Sequence, residues 1–306
     1  MLETFNTHRP LIFGLAYRML GQVAEAEDLV QEVWLRWQKQ EMAVIRSPKA
    51  WFVTTTTRLC LDQLRSARRQ REEYYGVWLP EPLLETGPTA PAAAGELADS
   101  LNMAFMFLLE TLAPMERAVF LLREVFDYDY ATIGDMVGQT ETNCRQIFHR
   151  AKKELSVRPP QATPPSEQAR QMVKQFVAAT THRQVRELVG MLTDDATMFI
   201  DGGGRVKSAG RPIRTSDRVS RYLIGIQKKM PTDTLVQFVH LNSHPGYLLS
   251  TAGKIFCALA FTFAGSRIQS IYSVRNPDKL RHLEQSLISP NAPPRSSTLT
   301  TSLSMM

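Results

Sequence analysis

The stretch from Asp129 to Leu155, DYATIGDMVGQTETNCRQIFHRAKKEL, constrains this chain more than any other. Cys144, Ile147, Phe148, Ala151 and Leu155 recur three and four residues apart, so a helix would bury them on one face. The opposite face carries Thr142, Arg145, Gln146, His149, Lys152 and Lys153. Gly138 stands where a first helix would close with positive φ. Thr140 stands where a hydroxyl would cap the next helix. The pattern predicts a helix-turn-helix whose second helix offers amide, guanidinium and imidazole groups to base edges and phosphates. An ordinary amphipathic hairpin with a solvated basic face satisfies the same spacing.

A chain of 306 residues, 43% of them hydrophobic, can bury more than one core, so two or three domains are expected. The net charge of +6 permits a nucleic-acid partner without demanding one. Cys60, Cys144 and Cys257 are too few and too scattered for a disulfide framework or a zinc site. No metal and no cofactor is expected. With no signal-like or membrane-length apolar run, the expected compartment is the cytoplasm, without membrane attachment.

Residues 1–76 read as a helical domain. Leu11, Leu15 and Met19 mark one helix, and Leu29, Val30, Val33, Trp34 and Trp37 mark a second. Ser47-Pro48 opens a third, with a capping hydroxyl and proline at the first position. That helix contains Thr54-Thr55-Thr56-Thr57, a β-branched run that disfavours helix and suggests a working surface. Arg58, Asp62, Arg65 and Arg69 follow at helical spacing as a phosphate-binding ridge. Trp51 suits base stacking and core packing equally, whereas Phe52 reads as core.

Residues 77–98 form a Pro-rich linker. Its Trp78-Leu79-Pro80-Glu81-Pro82 segment is too apolar for a bare spacer and reads as a docking element. Residues 99–158 form a second helical module. One helix is marked by Leu101, Phe105, Leu108 and Leu112, and another is opened by Pro114. The helix-turn-helix completes the module.

With DLVQEVWLRW, the Thr/Arg helix, the linker and RQIFHRAKKEL in this order, residues 10–156 resemble bacterial sigma-70-family initiation factors of the extracytoplasmic-function group. The first domain resembles region 2 and the second region 4. The resemblance implies promoter-specific transcription initiation with core RNA polymerase, its β′ clamp helices and β subunit, and promoter DNA as partners. It assigns polymerase contact to Asp28, Gln31 and Glu32. It assigns −10 recognition to Lys49, Trp51, Thr54, Thr57, Arg58, Arg65 and Arg69. It assigns −35 recognition to Thr142, Arg145, Gln146, His149, Arg150, Lys152 and Lys153. Two departures stand out: Cys144 replaces a larger aliphatic residue, and the threonine run is unusual.

Residues 166–290 read as a third domain, two helices followed by strands of an antiparallel sheet, an α+β arrangement. This part resembles the SnoaL-like α+β cone. WLPEP, DGGGRV and Asn276-Pro277-Asp278-Lys279-Leu280 resemble the subgroup of these sigma factors in which such a domain controls activity in cis. That resemblance implies that Asp201, Gly202 and Gly203, with Asn276 to Leu280, meet Trp78, Leu79, Pro80, Glu81 and Pro82. Asp195, Asp201, His240 and His244 could supply acid–base chemistry, yet no pairing is readable. Asp201 before three glycines is more simply a turn former. No catalytic residue and no enzyme activity is expected, and a small ligand in the cone is left open. Residues 291–306 are polar and unpatterned, and are expected to be disordered.

Overall fold

The computed structural model describes residues 1–41, 45–72, 74–84, 101–156 and 166–288. The tail at 291–306 and linker residues 85–98 lie outside the described residues. Two compact units emerge. One holds residues up to 73 and most of the second helical module. The other holds the linker segment from Tyr74 and the C-terminal part. The two helical segments expected as separate domains therefore share a unit, and the described linker segment, 74–84, belongs with the third segment.

In the first unit, α1 (Leu2–Leu20), α2 (Val23–Trp37) and α3 (Pro48–Glu72) pack together. Helix α2 buries Val23, Ala26, Leu29, Val30, Val33 and Trp37, the stripe its periodicity predicts. In α3 the threonine run divides between environments. Thr56 and Thr57 are fully buried, whereas Thr54 and Thr55 are half-exposed. A helix with apolar residues on its inner face buries part of any four-residue run, so the β-branched stretch is half core.

Helix α4 (Met103–Leu109) is shorter than its apolar spacing suggested, because single-turn bonds end it at Leu112. Helix α5 (Pro114–Phe120) starts at Pro114, where Glu116 Oε2 accepts from Ala113 N at 3.2 Å. It runs into a π-helical segment at Leu121–Val125. Helices α6 (Tyr130–Val137) and α7 (Glu141–Ser156) form the helix-turn-helix.

In the second unit, α8 (Ser166–Thr181), α9 (Val185–Met191) and α10 (Ser216–Gln227) pack on one face of a six-stranded sheet. The strands are β1 (Leu192–Asp201), β2 (Ile213–Arg214), β3 (Leu235–Leu241), β4 (His244–Thr251), β5 (Lys254–Ala264) and β6 (Arg267–Val274), in spatial order β2-β1-β6-β5-β4-β3. The purely antiparallel sheet expected from sequence is corrected at one place: β1 pairs with β6 in parallel. Parallel partners need a long crossover, and everything from β2 to β5 supplies it. Register shifts at Leu192/Thr197, Leu249/Ser250 and Thr262/Phe263 bend the sheet. The helix-covered face buries Met198, Ile200, Tyr247, Leu249, Leu259 and Phe261 around Phe176 and Leu188. Phe199 stacks on Tyr272 at 5.3 Å, and α11 (Arg281–Ile288) packs against β5. This is the α+β cone expected of a SnoaL-like domain.

Candidate nucleic-acid interface and linker-docking site

The helix-turn-helix follows from a few local devices. Asp129 caps α6, its carboxylate accepting from Thr132 N at 2.8 Å. Gly138 ends that helix at φ 71°. Thr140 Oγ1 accepts from Asn143 N at 3.2 Å at the start of α7. Gly134 is required where the two helices cross, since a Cβ there would stand 2.5 Å from the Gln139 carbonyl oxygen. Cys144 and Ala151 are fully buried and Ile147 and Phe148 nearly so. Thr142, Arg145, Gln146, His149, Arg150, Lys152 and Lys153 are all exposed. Arg145 is held by Glu141 at 2.7 Å and lies over the Tyr130 ring at 5.4 Å. Lys152 reaches Glu124 at 3.4 Å, and Arg150 reaches Glu116 at 3.8 Å. Such exposed pairs are weak and exchange readily for phosphate.

On α2, Asp28, Gln31 and Glu32 are exposed together with Leu35, which sequence reading did not single out. The four share one helix face at intervals of three and four, so a side chain 52% exposed and apolar stands among the acidic and amide groups.

The α3 set divides. Lys49 and Arg65 are exposed, Thr54 and Trp51 half-exposed, and the side chain of Arg69 lies outside the described residues. Trp51 packs on Trp37 and Phe52, with centroids 5.1 and 5.4 Å apart. Thr57 is a correction: it is fully buried, because the helical turn that exposes Arg58 points its predecessor into the core. Arg58 is exposed, and in this conformation its guanidinium is engaged by protein carbonyls. Its Nε donates to the Met136 carbonyl at 2.8 Å and its Nη2 to the Asp135 carbonyl at 2.9 Å. Those carbonyls form the C-terminal end of α6, where the helix dipole favours a cation. A second guanidinium, on buried Arg117, donates to the Met19 carbonyl at 2.6 Å and to Glu110 at 2.7 Å. The two arginines tie the first three helices to the helix-turn-helix module within the same unit.

In the second unit, the linker segment and both C-terminal motifs converge on Asp201. This carboxylate is fully buried at the end of β1. Its Oδ1 accepts from the Tyr74 hydroxyl and from Gly203 N at 3.0 Å. Its Oδ2 accepts from Leu79 N at 2.9 Å and from Lys279 Nζ at 2.8 Å. Lys279, 4% exposed, also donates to the Leu79 carbonyl and stands 3.8 Å from the centroid of the Trp78 ring. Asn276 Nδ2 donates to the Tyr74 hydroxyl at 3.0 Å, while its Oδ1 accepts from Asp278 N at 3.1 Å. Burial, followed by the neighbouring Asp201, pushes the Tyr74 hydroxyl well above the ordinary phenol range, so it stays a donor. Gly202 is buried, and Gly203 has φ 58°, where a Cβ would run into the Asn276 side chain. Leu280 is buried, Pro277 exposed, and Asp278 pairs with Arg281 at 2.6 Å and Arg205 at 3.5 Å.

The segment has a second anchor. Leu83 N donates to Asn242 Oδ1 at 3.0 Å, Asn242 N donates to the Leu83 carbonyl at 2.8 Å, and Leu84 bridges Leu241 on the edge strand β3. Between the anchors Pro80, Glu81 and Pro82 are buried, and His282 of α11 bonds the Pro82 carbonyl at 2.7 Å. Burial lowers the His282 pKa, so the neutral ring donates Nε2–H to that carbonyl. Tyr74, Asn242 and His282 were missed from sequence, since each is an isolated polar residue whose partner lies far along the chain.

Of the acid–base candidates, Asp195 and His240 are exposed on separate strands, and His244 bonds the Ser243 carbonyl at 2.9 Å. Asp201 is committed to the linker. The described residues hold no metal-binding cluster of His, Cys, Asp or Glu, and no helix among them is long and apolar enough to cross a membrane.

Two helical modules, a helix-turn-helix in the second, and a cone that grips the linker between them define a sigma-70-type factor with a C-terminal extension. Residues 4–70 match the sigma-70 region 2 family, and residues 102–155 match sigma-70 region 4. The chain is 37% identical over 290 residues to the ECF RNA polymerase sigma factor SigJ of Mycobacterium tuberculosis, covering 91% of this chain and 92% of SigJ. It is 28% identical over 285 residues to the probable ECF RNA polymerase sigma factor SigI of the same species, covering 92% and 96%. The crystal structure of M. tuberculosis SigJ superposes with a TM-score of 0.75 at 30% identity, covering 92% of this chain and 98% of that one. The protein belongs to the extracytoplasmic-function RNA polymerase sigma factors.

Proposed function

We propose that the chain brings core RNA polymerase to promoters in the cytoplasm and performs no covalent chemistry itself. In this reading α7 enters the major groove of the −35 element. Arg145, Gln146 and His149 meet base edges there, and Arg150, Lys152 and Lys153 meet phosphates. Helix α3 presents Lys49, Trp51, Thr54 and Arg65 to the −10 strand, and Arg58 joins them once it leaves the end of α6. The face of Asp28, Gln31, Glu32 and Leu35 on α2 docks on the β′ clamp helices.

The cone acts in cis through the linker. The observation that carries this is the Asp201–Lys279 pair, buried in the cone yet bonded to the backbone of Leu79 on both its N–H and its carbonyl. A charge pair that closes on another segment's main chain is a clasp, and clasps matter where release changes behaviour. The test is in vitro transcription with core polymerase, comparing the full chain, Lys279→Met and a chain ending at Arg158. Output from the same promoter should differ among the three. Equal output from all three would remove the cis role while leaving the sigma assignment intact.

A further inference from the structure

The helix-covered face of the bent sheet encloses a cavity of about 720 Å³ with α8 and α10. Packed interiors leave few voids larger than one water, whose share of liquid volume is about 30 Å³, so this space is not a packing defect. It falls in the size range of small-molecule sites. Its wall is mostly apolar, with Met198, Leu223, Tyr247, Leu249, Phe256 and Leu259 as the main contributors.

The polar lining is one-sided. Lys207, Lys229 and Arg275 line the cavity, and no Asp, Glu or His does among the described residues. Lys207 and Lys229 are exposed at the opening, while Arg275 is half-buried just past the end of β6. Arg275 Nη1 donates to the Lys207 carbonyl at 3.2 Å, and no described carboxylate pairs with the guanidinium. The Tyr222 hydroxyl and the Cys257 thiol lie within its electrostatic reach. Burial raises the Tyr222 pKa, and burial pushes Cys257 up to about 11, so both are neutral. Among the described residues Asp233 is an acidic group tied to a lining residue, its Oδ2 accepting from Thr251 Oγ1 at 2.6 Å at an exposed position. An Arg fork with most of its donors uncommitted, at the solvent-accessible side of an apolar chamber, is the counterpart of a carboxylate, sulfonate or phosphate on an otherwise apolar body.

We propose that this cavity is a binding site for one small, predominantly apolar molecule bearing a single anionic group, with Arg275 as the partner of the anion. The site is distinct from the linker clasp but adjoins it. Arg275 N donates to the Asp201 carbonyl at 2.7 Å, and the next residue, Asn276, bonds Tyr74.

The test titrates the full-length protein with 8-anilino-1-naphthalenesulfonate and with N-phenyl-1-naphthylamine, the same skeleton without the charge. Each dye should bind with one equivalent. Arg275→Met should weaken the sulfonate about tenfold or more while changing the neutral dye by less than about twofold, since only the former loses a charge-assisted bond. Leu259→Trp, which fills the chamber, should abolish both. Should that variant lose its cooperative thermal transition, Cys257→Leu fills the same wall more gently and should weaken both dyes. Undiminished sulfonate binding by Arg275→Met, or one equivalent of dye retained in a folded cavity-filling variant, would overturn the assignment.

Discussion

At the scale of single residues, Asp201 shows how one carboxylate serves two ends. It caps the turn through Gly203 N, as its place before three glycines suggests, and its remaining lone pairs receive Tyr74, Leu79 and Lys279. Both members of the ion pair are nearly inaccessible, at 5% and 0% side-chain exposure. Removing one member leaves an uncompensated buried charge, at a cost of about 3–5 kcal/mol, whereas removing both costs much less. Thermal or denaturant melts of Asp201→Asn, Lys279→Met and the double variant should therefore be strongly non-additive, with the double variant more stable than the sum of the singles predicts. Additive losses would mean that the pair is not the unit. The turn was legible in the sequence because it is local. The clasp was not legible from residue chemistry, because Tyr74 and Asp201 stand 127 positions apart. It was anticipated only through the resemblance of the motifs. Thr57 failed for a related reason: a run of identical residues does not say which of its members turns inward.

Elements carry the next set of consequences. Helix α7 was readable throughout, since a sharp division of apolar and polar residues at helical spacing needs no tertiary information. On the proposed reading, Arg145→Ala should cost about 1–3 kcal/mol at particular −35 sequences, whereas Lys153→Ala should weaken all sequences alike and lower the salt dependence of binding. Binding assays on a promoter library with polymerase holoenzyme separate the two. Strand pairing was less readable, because the parallel partner of β1 arrives about seventy residues later in sequence. Helix α11 adds a pH dependence to the linker segment. His282 is neutral when packed on Pro82, its pKa below the ordinary 6.5. The undocked imidazole binds a proton near 6.5, so docking is fully supported above that value and weakens as pH falls through it. Glu81 Oε2, 3.9 Å from Nδ1, offsets part of the loss. The amide protection factors of residues 74–84, with the intrinsic pH dependence of exchange divided out, should fall between about pH 7.5 and 5.5, and His282→Gln should flatten that response. An unchanged profile in the variant would assign the effect to another group.

For the whole molecule, the linker is the element the proposed function turns on. Residues 73–100 join α3 to the second helical module, and 74–84 of these are held by the cone. A chain of 28 residues can reach about 95 Å at full extension, and fixing 74–84 on the cone takes eleven of them out of that reach. Two reading modules on one promoter behave as a bivalent ligand, whose second contact depends on the effective concentration set by the tether. A gripped tether raises that concentration for separations within reach and removes it for longer ones. A released tether tolerates more separations but rewards none of them strongly. The full chain should therefore transcribe from promoters over a narrow range of −35 to −10 spacing. Lys279→Met should broaden that range while lowering output at the preferred spacing. Transcription from a promoter set varied only in spacer length measures this directly. Identical spacing profiles for the two proteins would show that polymerase alone sets the register and that the clasp acts, if at all, on a step other than promoter geometry.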